Sequence, residues 1–128
     1  GLPADLGLAW GALRDVALGC PEVVEEFPWG HSAFKVRGRS FLFLSSEGGR
    51  LGLSVKLPQS REFALEYPFT EPTGYGLGRA GWVTARFETG DEVPLDVLEA
   101  WIGESFRAIA PRRLLGAHRA GQPAVRTP

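Results

Sequence analysis

"FKVRGRSFLFLSSEGGRLGLSVKL", residues 34–57, is the stretch whose reading decides the fold. Phe34 to Arg37, Ser40 to Ser45 and Leu51 to Leu57 read as three strands. Arg37-Gly38-Arg39 and Glu47-Gly48-Gly49-Arg50 supply turn chemistry between them. Breaks this short join antiparallel neighbours, because parallel strands need a crossover of a dozen residues or more. In the third strand Leu51, Leu53, Val55 and Leu57 share one face, and Gly52, Ser54 and Lys56 share the other. The middle strand is apolar on both faces, as expected of a central strand covered at least in part on both sides.

Upstream, Leu6, Ala9, Trp10, Leu13, Val16, Ala17 and Cys20 recur at helical spacing, with Asp5 as expected N-cap and Pro21 as the stop. Downstream, a short helix is expected from Ser60 to Tyr67, then a glycine-rich loop over residues 68–81. A fourth strand follows from Trp82 to Phe87, and a last helix from Leu95 to Ala110. The expected fold is α+β: an antiparallel sheet of four to five strands with an N-terminal and a C-terminal helix packed on it, in the order α-β-β-β-α-β-α. Trp10, Leu13, Phe41, Phe43, Leu53, Val55, Leu98 and Ile102 are the predicted core. Residues 1–110 form one domain in this reading, and 111–128 a basic tail expected to be mobile.

A length of 128 residues suits one domain, and 44% hydrophobic with 23% charged residues is ordinary for a globular chain. No apolar run reaches the roughly 20 residues of a membrane span. No basic-then-apolar leader is visible either, so a cytoplasmic location is expected. The absence of Met points to a native start outside this chain. Cys20, the single cysteine, excludes an internal disulfide and reads as a small buried hydrophobe. Arg107, Arg112, Arg113, Arg119 and Arg126 make the C-terminal end basic. A net charge of −1 argues against strong non-specific nucleic-acid binding while leaving room for a local patch.

"GLGRAG", residues 76–81, matches the dinucleotide fingerprint by letter only. That fingerprint needs a strand before it and a helix after it, and here a strand is expected to follow. His31 and His118 lack partners at metal-ligand spacing. Ser105 lies in "GESFR", without the second glycine of a nucleophile elbow, and is expected to bond the carbonyl of the preceding helical turn. No catalytic residues, metal or cofactor are therefore expected. Lys35 and Lys56, the only lysines, point away from the leucine face. Arg37, Trp82, Thr84 and Arg86 have the parity to join them on a face suited to an anion or a nucleic-acid backbone. The bland reading is that their stems cover apolar surface while their charged heads stay in water.

"PWGHSAFKVRGRSFLFL", "LSVKLP", "GYGLGRAGWVTARF" and "ESFRAIA" together resemble the MmcQ/YjbR family of small bacterial proteins, from about Trp10 to Ala110. The resemblance implies an α+β fold and a non-enzymatic, DNA-binding or regulatory role. Members are described as predicted DNA-binding proteins because the sheet looks like the double-wing module of a phage transcription factor. Carried over, the surface positions are Trp29, His31, Lys35, Lys56, Arg79 and Trp82, with Ser105 and Phe106 matching a Ser-aromatic pair. This chain departs at Gly76, Gly78, Arg79 and Gly81, where members often carry His, Asn, Lys and His before the Trp. The expected partner is DNA. The alternative is a protein-interaction adaptor, or a homodimeric module with no nucleic-acid role.

Overall fold

The computed structural model describes residues 1–28 and 31–116. Helix α1 (Ala4–Leu18) leads into β1 (Val23–Glu26), β2 (His31–Val36), β3 (Arg39–Ser45) and β4 (Leu51–Lys56). Short helix α2 (Arg61–Ala64), β5 (Thr70–Pro72), β6 (Trp82–Phe87) and helix α3 (Leu95–Ile109) follow. The sheet is antiparallel throughout, in the order β1-β2-β3-β4-β6-β5.

The expected architecture is present, with six strands where four to five were expected. β1 falls within the acidic run, and β5 within the segment expected as loop. Two smaller differences concern the ends of elements. Pro3, not Asp5, occupies the N-cap position of α1, and Asp5 stands in the first turn, where its charge complements the helix dipole. Residues 112–116 are helical and Leu114 packs in the core, so the core extends past Pro111. The rest of the expected tail, residues 117–128 with His118, lies outside the described residues.

Register explains the core. Val36 and Arg39 pair across a two-residue turn in which Arg37 and Gly38 both have positive φ, 52° and 79°, as a type I′ hairpin requires. Further along, the β2–β3 ladder shifts: Phe34 pairs with Leu42 but Lys35 pairs with Ser40. Phe41 is the extra residue of a β-bulge. It therefore turns with Leu42 toward the helices, where its ring meets Phe106 edge-on at 5.3 Å.

Beneath α1 and α3 lie Phe34, Leu42, Leu44, Leu53, Val55 and Val83, all buried in one cluster with Leu6, Leu13, Leu98 and Ile102. Two predicted core residues differ. Trp10 is only half-buried at the margin of this cluster, and Phe43, thrown out of phase by the bulge, belongs to the opposite face of the sheet.

Candidate binding surface on the open sheet face

Neither long helix covers the second face. By register it carries Glu26 of β1, His31 and Lys35 of β2, and Phe43 and Ser45 of β3. Ser54 and Lys56 of β4 continue it, followed by Trp82, Thr84 and Arg86 of β6 and Glu71 of β5. Period-2 alternation thus places Lys35, Lys56, Trp82, Thr84 and Arg86 together, as their parity indicated.

An aromatic strip with rings from β2, β3 and β6 spans this face, passing over β4. His31 meets Phe43 edge-on at 5.7 Å, and Phe43 meets Trp82 at 5.5 Å. Trp82 is thereby buried although no long helix lies over it. Trp29, also expected at this surface, lies outside the described residues.

The cations behave differently from one another. Lys35 pairs with Glu26 at 2.9 Å, diagonally across the β1–β2 ladder. Arg37 is not a strand residue: its left-handed backbone places it in the turn, where it bonds Glu22 at 2.6 Å. Arg86 pairs with Glu71 across the β5–β6 ladder. Among the described residues Lys56 and exposed Arg79 make no ion pair. Exposed pairs of this kind add little stability, but they leave less positive charge for a ligand. The acids that neutralise the face come from β1 and β5, the two strands the sequence did not reveal.

Beside the aromatic strip the surface sinks into a cleft of about 410 Å³. Phe43, Ser45, Gly52, Ser54 and Thr84 form its floor, Glu47 and Arg50 one wall, and the segment from Glu71 to Tyr75 the other. Thr84 Oγ1 is 2.8 Å from both Ser54 Oγ and Thr73 Oγ1, so three hydroxyls form a chain across β4, β6 and the loop after β5. Sequence reasoning placed Ser54 and Thr84 on this face but saw no role for them. The missing signal was Thr73, which only the loop fold brings near.

The "GLGRAG" segment is a 3-10 turn, Leu77–Ala80, between left-handed Gly76 and Gly81, and it runs directly into β6. The helix that a dinucleotide site needs is absent from this place. Gly78 has its own reason: a Cβ there would lie 2.9 Å from Pro72 Cβ and 3.0 Å from the Thr73 carbonyl.

Ser105 is not bonded to its own helix as expected. Its Oγ accepts from the Lys56 N–H at 2.8 Å and donates to the Phe41 carbonyl at 2.5 Å, so it bridges β3 and β4 just past the Leu42–Val55 pair that ends their ladder. Cys20 is buried, which pushes its thiol up to about 11 and keeps it protonated. Among the described residues no three His, Cys, Asp or Glu side chains gather as metal ligands, and no helix is long and apolar enough to cross a membrane.

These features define a two-layer α+β protein, with helices on one face of an antiparallel sheet and a mixed aromatic and polar surface on the other. The chain belongs to the YjbR family, whose model matches residues 18–108. It is similar to the crystal structure of Deinococcus radiodurans protein DR2400, which carries a DUF419 family domain. That likeness has 26% identity and a TM-score of 0.63 over 85% of this chain and 83% of that one. Comparison with curated proteins finds no match.

Proposed function

We propose that the protein is a non-enzymatic binding module of regulatory type that takes nucleic acid on the open face of its sheet. The observation that carries this reading is the aromatic strip His31–Phe43–Trp82 running beside Lys56, which pairs with Trp82 in the register. The partly exposed rings of His31 and Phe43, backed by buried Trp82, and a few cations on an open sheet suit a strand of nucleic acid that stacks more than it pairs charge. With Lys35, Arg37 and Arg86 engaged by glutamates, Lys56 and Arg79 supply the phosphate contacts.

Fluorescence anisotropy with single- and double-stranded DNA and RNA across a salt series tests this. The expected result is binding at low salt, with log affinity falling by no more than about 2 per log unit of salt. Lys56→Ala should weaken binding and flatten that slope by about 1 unit. Absence of binding at low salt overturns the reading, as does binding that Lys56→Ala and His31→Ala leave unchanged.

A second reading, a protein-interaction adaptor, draws on β1. That strand stands at the edge of the sheet, and Val24 within it and Phe27 just beyond it are 57% and 69% exposed. An edge strand flanked by exposed apolar side chains suits pairing with a partner's strand.

A further inference from the structure

We propose that the cleft beside the aromatic strip is a site for a neutral sugar ring. The inference does not rest on nucleic-acid binding: the two sites share only Phe43, and the ligand is a different one. Its first support is a count of protons. Ser54, Thr73 and Thr84 carry one hydroxyl proton each, and the two contacts among them use two. The third proton is left to donate outside the chain, beside lone pairs that still accept. All three residues line the cleft, so this capacity is presented to whatever occupies it. Hydroxyls that both donate and accept match ligand groups that do the same.

Charge and shape narrow the ligand class. The lining holds Glu47 and Glu71 against Arg50 and Arg86, so the acids and bases balance, and Arg86 is already paired with Glu71. An anion or a cation would find no excess of opposite charge. The volume, about 410 Å³, lies within the range of small-molecule sites and is ample for a hexose. Tyr75 completes the arrangement. Its side chain is fully exposed at the wall of the cleft, and its backbone is left-handed with φ 59°. A non-glycine residue held in that conformation stores strain. The ring, exposed at the mouth of a hydroxyl-floored cleft, is free to turn over the C–H face of a sugar while Phe43 meets it from the floor.

The test is a ¹H–¹⁵N NMR titration of the full chain with glucose, galactose and ribose, and then with adenosine and adenine. At least one sugar should give saturable shifts at Ser54, Thr73, Tyr75 and Thr84, with a millimolar Kd. Tyr75→Ala, which touches an exposed side chain and leaves folding intact, should weaken that binding by about 2- to 10-fold. Thr84→Val, and Ser54→Ala as the milder variant, should each weaken it by about 2- to 10-fold. Three results would overturn the proposal. One is no saturable shift with any of the sugars. Another is binding that Tyr75→Ala and Ser54→Ala both leave unchanged. The third is adenine bound as well as adenosine, which would mean that the base and not the sugar is read.

Discussion

Glu104, on α3, holds Ser60 at the entrance of α2 by two contacts: Oε2 accepts from the Ser60 N–H at 3.0 Å, and Oε1 from its hydroxyl at 2.6 Å. Oε2 also takes the Gln59 N–H at 2.8 Å. A helix of four residues cannot hold itself together, and the carboxylate of a distant helix satisfies the N–H groups that its own side chains leave open. Glu104→Ala should cost about 1–3 kcal/mol. Hydrogen exchange should quicken at Gln59 and Ser60 before it does so in β3 or β4.

Ser105, one position on, gives a larger expected loss. Ser105→Ala leaves the Lys56 N–H and the Phe41 carbonyl without the hydroxyl that joins them, in a fully buried place. The cost should be about 2–4 kcal/mol in urea unfolding. A loss below about 0.5 kcal/mol would mean that the two strands close the gap themselves.

Tyr75 should show the opposite trade. Tyr75→Gly relieves the left-handed backbone and removes a side chain that makes no buried contact. Stability should rise by about 0.5–1 kcal/mol, measured by urea unfolding, while sugar binding falls.

Cys20 sets a pH dependence. Burial raises its thiol from 9.0 to about 11, and the charge of Arg107 only partly opposes this. As pH rises, the unfolded chain therefore gives up its thiol proton before the folded one does. The contribution is fully present below pH 9.0 and is lost between there and about pH 11. Cys20→Ala should flatten stability against pH across that window. At neutral pH the thiol should react with Ellman's reagent only in denaturant.

The meander and both long helices were legible because apolar period and turn residues agree in them. β1 was not, because "VVEE" has four residues and its acids look solvated, although the Glu25 side chain is buried and bonded to Arg14 and Ser32. β5 was hidden by Pro72, which reads as loop yet is tolerated at a sheet edge. The bulge at Phe41 leaves no mark in composition, so Phe43 was assigned to the wrong face. The same limits shaped the site. Alternation put Lys35, Lys56 and Thr84 on one surface, but the partners of Lys35 and Thr84, Glu26 and Thr73, lie in β1 and in the loop after β5.

The Ser105 bridge also bears on synthesis at the ribosome. The three central strands are contiguous in the chain and can begin to pair as they leave the exit tunnel. Yet Phe41 and Lys56 wait for a hydroxyl that lies 64 and 49 residues further on. Until α3 has been translated, those two backbone groups lack their partner and the apolar face of the nascent sheet is bare. That interval is when a chaperone that holds extended apolar chain would find its target. Arrest of translation just short of Glu104 should yield a chain that is captured and cut by protease, and arrest with α3 outside the tunnel should yield one that is not.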